Sequence, residues 1–348
     1  MEIIKNDNPK FYKVDFENLS FGETFTDHMF ICDFLDGNWV DPKIIPYQNI
    51  SIDPSTSALH YGQAIFEGMK AYKDHNNKVW LFRPEDNFER LNKSCKRMKI
   101  PEIPKDIFMN GLKKLVSIDS DWVKPGNGNS LYIRPFVFAS QATVQASPSS
   151  EYKFIIICSP AKSYYKESKF SVLISEKYSR ASSGGVGFAK AAGNYGSSFY
   201  PTSIAQNKGY HQIIWTDSNE HKFIEEAGTM NIFFRIENKL ITAPTNDRIL
   251  DGITRKSVIQ IAKDIGLDVE VRPFTVDELV AAVKNKSLKE IFGAGTAVVI
   301  LSISGFGYKN IDYDIKPVKE SYAEKIKKII TDIQYNRSDD KFGWRSEV

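Results

Sequence analysis

The sequence predicts an α/β protein of two domains, and three observations carry that expectation. At 348 residues the chain exceeds what one hydrophobic core usually supports. Its first half reads as an amphipathic helix followed by paired β-rich runs. Its second half reads as short strands followed by helices, the α plus β arrangement of a layered domain. The expected boundaries are 1–163 for a small N-terminal domain, 164–180 for an interdomain loop and 181–348 for a large C-terminal domain.

In chain order, Arg83-Pro84-Glu85-Asp86-Asn87 opens a segment in which Phe88, Leu91, Cys95 and Met98 recur at helical steps before Lys99 and Pro101. A turn-rich spacer, Lys124-Pro125-Gly126-Asn127-Gly128-Asn129, precedes β-rich text at 131–139 and 153–158, expected to form two paired strands. From about 160 to 187 the text is rich in Ser, Lys, Tyr and Gly, includes Ser182-Ser183-Gly184-Gly185 and holds one short strand near 170–175; the domain connection belongs here. Short strands at 211–216, 222–226, 232–236 and 239–243, separated by polar turns, predict an antiparallel meander. A helix over 254–265 carries Val258, Ile261, Ala262 and Ile265 on one face and ends at Gly266, and Thr275-x-x-Glu278 reads as the capping box of the next. Beyond Lys316 the Lys-rich text predicts a final surface helix and a frayed tail.

Composition narrows the function classes. A net charge of +3, from 46 basic and 43 acidic residues spread along the chain, gives no dominant positive field, so nucleic acid is not an expected partner. Cys32, Cys95 and Cys158 are odd in number and far apart, which argues against a disulfide framework and against a CxxC zinc site; no metal is expected, and a reducing compartment fits best. The opening MEIIKNDNPKF lacks a signal-peptide core, and apolar runs such as 154–158 and 298–301 are far shorter than the ~20 residues of a membrane span. A cytoplasmic protein without a membrane segment is expected.

Several segments could carry chemistry. Lys190-Ala191-Ala192-Gly193-Asn194-Tyr195-Gly196 sets a lysine among small residues, where an amine has room to meet a ligand carbon. Most loop lysines, however, are simply solvated. Asp251-Gly252-Ile253-Thr254-Arg255 leads into a helix whose first N–H groups and Thr254 hydroxyl make a ready anion site, although a plain N-cap is the commoner reading of such text. Phe292-Gly293-Ala294-Gly295-Thr296-Ala297 could offer further N–H groups, a weak signal by itself. Glu225 and Glu226 end a strand; alternation puts them on opposite faces, and paired acids at such a place usually face solvent.

Taken together, Leu59-His60-Tyr61-Gly62-Gln63-Ala64-Ile65-Phe66-Glu67-Gly68, Tyr132-Ile133-Arg134-Pro135, Lys190-x-x-Gly193-Asn194-Tyr195, Glu226-x-Gly228-Thr229-Met230-Asn231, Asp251-Gly252-Ile253-Thr254-Arg255 and Gly295-Thr296-Ala297 resemble, in order and across most of the chain, the branched-chain aminotransferase family. The resemblance implies the fold type IV arrangement of pyridoxal 5'-phosphate enzymes, with two α/β domains, the cofactor between them and a homodimer as the working unit. It implies reversible transfer of the amino group of leucine, isoleucine or valine to 2-oxoglutarate, giving the branched-chain 2-oxo acid and glutamate.

By the same resemblance Lys190 is the Schiff-base lysine and the base that moves the 1,3-proton. Glu226 matches the acid paired with the pyridinium nitrogen, with Glu225 facing away, and Tyr195 matches the phenol on the ring oxygen. Arg90 matches the phosphate arginine, joined by Ile253, Thr254 and Thr296, and Thr229 is a further cofactor contact. For the substrate, Tyr61, Phe66, Tyr132 and Tyr164 or Tyr165 match an apolar wall, Thr296 and Ala297 hold the α-carboxylate, and Arg134 matches an arginine at the pocket rim. The loop at 144–146 resembles, with departures, a segment that reaches into the partner's site. Ala192 stands where the family often has glycine, and the redox cysteine pair of some members is missing from 298–304. D-amino-acid aminotransferases and aminodeoxychorismate lyases share the lysine, the glutamate and the phosphate helix; Tyr132-Ile133-Arg134-Pro135 and the N-terminal block favour the branched-chain reading. A binding protein or inactive scaffold on the same fold is the rival from another class, and intact Lys190, Glu226 and Tyr195 argue against it.

Overall fold

The computed structural model describes residues 1–162 and 169–348, so Tyr164 and Tyr165 of the expected apolar wall lie outside the described residues. The first half of the chain gives β1 (Glu2–Ile3), β2 (His28–Leu35), β3 (Asn38–Pro46), α1 (Ser57–Tyr61), β4 (Ala64–Phe66), β5 (Met69–Lys73), β6 (Val79–Phe82), α2 (Pro84–Arg97), α3 (Lys105–Ile118), β7 (Ser130–Ala139) and β8 (Tyr152–Ala161). The expected helix from Pro84 forms, with buried Leu91 and Cys95 on its inner side and Asp86 and Glu85 in its first turn, where the helix dipole favours acids. The two expected strands pair antiparallel from Ser130↔Ala161 to Ala139↔Tyr152.

Alternation along β7 decides its two faces. Leu131, Ile133, Val137 and Ala139 enter the core, leaving Tyr132, Arg134, Phe136 and Phe138 on the other side. Pro135 has no N–H to give, and it sits where the neighbour of β7 changes from β4 to β5; there the Glu67 N–H donates to the Pro135 carbonyl at 2.7 Å. On the core face, α3 lays Phe108, Leu112, Leu115 and Val116 against the sheet, and Gly111 lets the Phe30 ring of β2 approach its backbone.

The second half gives β9 (Ser171–Ile174), α4 (Gly193–Gly196), α5 (Phe199–Asn207), β10 (Gln212–Thr216), β11 (Ile224–Ala227), β12 (Met230–Ile236), β13 (Lys239–Thr242), α6 (Ile253–Asp264), β14 (Asp268–Val271), α7 (Val276–Lys284), β15 (Leu288–Gly295), β16 (Val299–Ile303), β17 (Gly305–Tyr308), β18 (Ile311–Asp314) and α8 (Tyr322–Gln334). The meander β10-β11-β12-β13 is antiparallel as expected, but the sheet is mixed, because β9 joins β10 and β17 in parallel and β14 joins β13 in parallel. Its order is β14-β13-β12-β11-β10-β9-β17-β18, with β15 pairing β12 and β16. The capping box of α7 is present in both directions, Thr275 accepting from the Glu278 N–H and Glu278 from the Thr275 N–H.

The C-terminal tail is ordered rather than frayed. Residues Arg345–Glu347 form β19, antiparallel to β6, which completes a first sheet of order β1-β3-β2-β8-β7-β5-β6-β19 with β4 on β7. The reason is an edge: β6 would otherwise present unpaired backbone groups, and the tail pairs them while Trp344 packs on Phe82. By contacts the chain divides into one unit of Met1–Tyr164, Ala189–Gly193 and Asp332–Val348 and another of Tyr165–Phe188 and Asn194–Thr331. Unlike the expected contiguous boundaries, this division counts Lys190 and the tail with the first unit. Among the described residues no helix is long and apolar enough to cross a membrane.

A Cβ at Gly111 would lie 2.7 Å from a Phe30 ring atom that has no room to retreat, since Phe30 is 0% exposed. Gly111→Ala is therefore expected to destabilise by up to about 2 kcal/mol, overpacking of about 1–3 being set against a helix-propensity gain of about 1. A denaturation midpoint equal to or above that of the wild type would contradict this.

Candidate active site

In the first unit the lysine loop is held by its backbone. Ala191 bridges Ile65 across a short antiparallel contact, the Phe66 N–H donates to the Lys190 carbonyl at 3.1 Å, and the Ala192 N–H donates to the Ala64 carbonyl at 3.0 Å. The Lys190 N–H donates to Ser94 Oγ at 3.0 Å, and Ser94 in turn donates to the Arg90 carbonyl on α2. The Lys190 ammonium stands 4.6 Å from the centre of the Phe66 ring. Ala191, 2% exposed, is the residue of this stretch that the close backbone approach buries.

Phe66 pairs with Phe136, so it shares the non-core face of β7 with Tyr132 and Arg134. The Arg134 guanidinium lies 4.5 Å from the Phe66 ring centre and donates to the Tyr132 hydroxyl at 2.9 Å, while its buried Nε has no hydrogen-bond partner among the described residues. A Cβ at Gly68 would lie 2.3 Å from the same hydroxyl, so glycine there makes room for the Tyr132 ring. Lys190, Phe66, Tyr132 and Arg134 thus come together. Tyr61 is turned to another partner: it is 46% exposed and its hydroxyl donates to the Val144 carbonyl.

Arg90, expected at a phosphate, is engaged edge-on by Glu67. Nε and Nη2 donate to the two carboxylate oxygens at 2.7 and 2.8 Å, and Glu67 is wholly buried. Such a bidentate fork fixes the guanidinium plane and neutralises a charge that burial would otherwise penalise.

The second unit gathers the remaining residues around the β11–β12 hairpin. Glu226 faces Asn231 across the pair, and Asn231 faces Ala294 of β15, so three strand ends lie side by side. Gly228, at φ +57°, opens the turn that carries Thr229. Gly295 lies against Thr229 and Met230, which places the Thr296-Ala297 turn beside them. Glu226 accepts from Asn231 Nδ2 at 3.2 Å and from the Leu250 N–H at 2.6 Å, and Arg180 Nε is 3.1 Å from its Oε2. Asn231 Nδ2 also donates to the Leu250 carbonyl, and a Cβ at Gly252 would lie 1.8 Å from Asn231 Oδ1. Gly252 is the N-cap residue of α6, which has no side-chain cap; the first N–H groups of the helix, at Ile253 and Thr254, have no partner inside it. Tyr195 lies in α4, anchored by the neighbouring Asn194, whose Nδ2 donates to the Val186 carbonyl.

The two acids are not solvent-facing: Glu225 and Glu226 are each 3% exposed. They point to different arginines, as alternation requires, Glu225 to Arg248 and Glu226 to Arg180. Burial pushes the Glu225 carboxyl up, with the Arg248 contact opposing it.

The Amino-transferase class IV family matches residues 64–306. The chain is 45% identical over 97% of its length to "Branched-chain-amino-acid aminotransferase 2" of Bacillus subtilis, covering 94% of that protein. The chain belongs to the class IV, branched-chain-amino-acid aminotransferase family. Among solved aminotransferases, that of Escherichia coli gives a TM-score of 0.74 at 25% identity, covering 91% of this chain and 98% of that one. The Thermobaculum terrenum enzyme in its PLP form gives a TM-score of 0.74 at 21% identity, covering 91% of this chain and 97% of that one.

Class IV aminotransferases use pyridoxal phosphate, and the residues present fit that group. The first unit offers an amine held over an aromatic ring, and the second offers a buried carboxylate and an uncapped helix start suited to an anion. Reading the sequence alone missed Glu67, Ser94, Arg180 and Gly252. Glu67 and Gly252 stood inside recognised motifs, whereas nothing local marks Ser94 or Arg180. Arg248→Met leaves the buried Glu225 charge unpaired and is expected to destabilise by on the order of 3 kcal/mol. Chemical denaturation of the variant checks this, and an unchanged midpoint would show that the pair contributes nothing.

Proposed function

We propose that the chain moves the amino group of leucine, isoleucine or valine reversibly to 2-oxoglutarate, with pyridoxal phosphate carried on Lys190. What supports this reading most is the cluster of Lys190, Phe66, Tyr132 and Arg134: an amine, an apolar wall and one cation on a shared face. The cofactor, when bound, supplies an electron sink conjugated to the carbon that loses its proton. Lys190 Nζ would take that proton from the substrate Cα and deliver it in the 1,3 sense, to the carbon on the far side of the amino nitrogen. Glu226 would hold a proton at the pyridine nitrogen, Tyr195 would hydrogen bond the ring oxygen, Arg90, Ile253, Thr254 and Thr296 would hold the phosphate, and Thr229 would be a further cofactor contact. Thr296 and Ala297 receive the α-carboxylate, and Phe66 and Tyr132 form the apolar wall.

The proposal includes a homodimer in the cytoplasm, built on two domains joined at 164–180. Its support is the family's working unit, three free and buried thiols, and an exposed apolar patch at Leu59, Tyr61 and Val144 that a second copy would cover.

One pocket must accept a branched aliphatic side chain in one half-reaction and the glutamate carboxylate in the other. An apolar wall alone rejects the carboxylate, because burying an unpaired charge costs several kcal/mol. Arg134, between Phe66 and Tyr132, is its partner. Wild-type protein should convert leucine and glutamate in single turnovers followed by cofactor absorbance. Arg134→Met should slow the glutamate half-reaction by the equivalent of about 2–5 kcal/mol and the leucine half-reaction far less. Equal losses would assign Arg134 to structure, and no turnover of leucine by the wild type would overturn the proposed function.

A further inference from the structure

Arg180 lies in the glycine-rich stretch, far in sequence from the acid it meets. Its Nε is 3.1 Å from Glu226 Oε2, with side chains 6% and 4% exposed. The rest of the fork is committed to backbone: Nη1 donates to the Arg248 carbonyl at 2.9 Å and to the Gly187 carbonyl at 3.1 Å, and Nη2 donates to Gly187 as well. A Cβ at Gly187 would lie 2.5 Å from that Arg248 carbonyl, so the glycine is what lets the two segments meet under the guanidinium. The Phe188 N–H and Gly184 N–H are taken by Asp247, and Arg248 reaches Ser183 Oγ at 2.6 Å. Arg180 therefore has one position, and in it the cation is pressed against one oxygen of Glu226 while the Leu250 N–H and Asn231 hold the other.

We infer that Arg180 is a positioning residue that decides on which side the proton between Glu226 and the cofactor ring nitrogen resides. An opposite charge at this distance favours the carboxylate over the carboxylic acid. Its direct contact is with Glu226, so it stabilises the anion more than it disfavours a proton one hydrogen bond further away. The proton then stays on the ring nitrogen and Glu226 remains charged. Without the cation, Glu226 becomes the stronger base and draws the proton to itself, which weakens the ring as an electron acceptor. This inference rests on the assignment of Glu226 to the ring nitrogen.

The test uses the holoenzyme loaded with cofactor labelled with nitrogen-15 in the ring, whose chemical shift separates the protonated from the unprotonated nitrogen. Arg180→Gln keeps a donor for the backbone carbonyls but removes the charge, and Arg180→Lys keeps the charge but loses the fork. The expected result is a signal in the protonated range for wild type and for Arg180→Lys, and movement toward the unprotonated range in Arg180→Gln. Turnover in Arg180→Gln should fall about tenfold to a thousandfold, matching an effect of one to three powers of ten on the proton's position. If Arg180→Gln does not fold, Arg180→Lys still decides, because a purely structural role predicts that losing the fork moves the signal. An unprotonated signal in Arg180→Lys, or an unmoved signal in Arg180→Gln while Glu226→Gln moves it, would overturn the inference and leave Glu226 in its role. No movement in Glu226→Gln would instead overturn that role, and this inference with it.

Discussion

The short backbone contact between residues 64–66 and 190–192 is the constraint on which the first half of the site depends. Two N–H···O bonds and one bridge hold a loop that has no regular structure of its own. Their register determines everything attached to them. Because β4 pairs with β7 at Phe66↔Phe136, the ring of Phe66 falls on the face that carries Tyr132 and Arg134, and the Lys190 ammonium falls over that ring. A slip of one residue in β7 would send Tyr132 and Arg134 into the core and Ile133 into the site. Ser94 adds the helix to the same lock, accepting from the Lys190 N–H one turn beyond Arg90.

A second constraint governs the hairpin that carries Glu226. Its carboxylate is buried, and the same is true of Glu225 and Glu67. Each has an arginine: Arg180, Arg248 and Arg90. Buried ion pairs are weak evidence of stability, since the loss of hydration offsets most of the attraction. Their consequence is geometric, because an arginine fork admits few arrangements, and a carboxylate held by one is aimed. In this protein the pairs fix the directions of three buried carboxylates while the apolar cores of each unit supply the folding energy.

What could be read in the sequence was local. The α2 helix announces itself by apolar spacing and acids in its first turn, β7 by strict alternation, and α7 by Thr275 and Glu278 at the capping-box interval. The arginine partners were hidden because they are long-range: Glu67 and Arg90 are 23 residues apart, and so are Glu225 and Arg248. No spacing rule brings such residues together. Helix α3 escaped notice because Gly111 interrupts its pattern and Pro104 caps it without a side-chain bond. The tail was misread for a related reason: its charges suggested solvent, but the open edge of β6 gave its backbone partners. Lys190, Glu226 and the start of α6 stand out only through the resemblance of several motifs in order, since each taken alone also fits an ordinary loop, strand end or cap.

Borohydride reduction of the purified holoenzyme, followed by peptide mapping, addresses the position of the cofactor most directly. Reduction should fix the cofactor permanently to the peptide containing Lys190, with loss of the long-wavelength absorption and of the response to added leucine. Modification of a different lysine, or no modification at all, would contradict the placement of the reacting amine above Phe66.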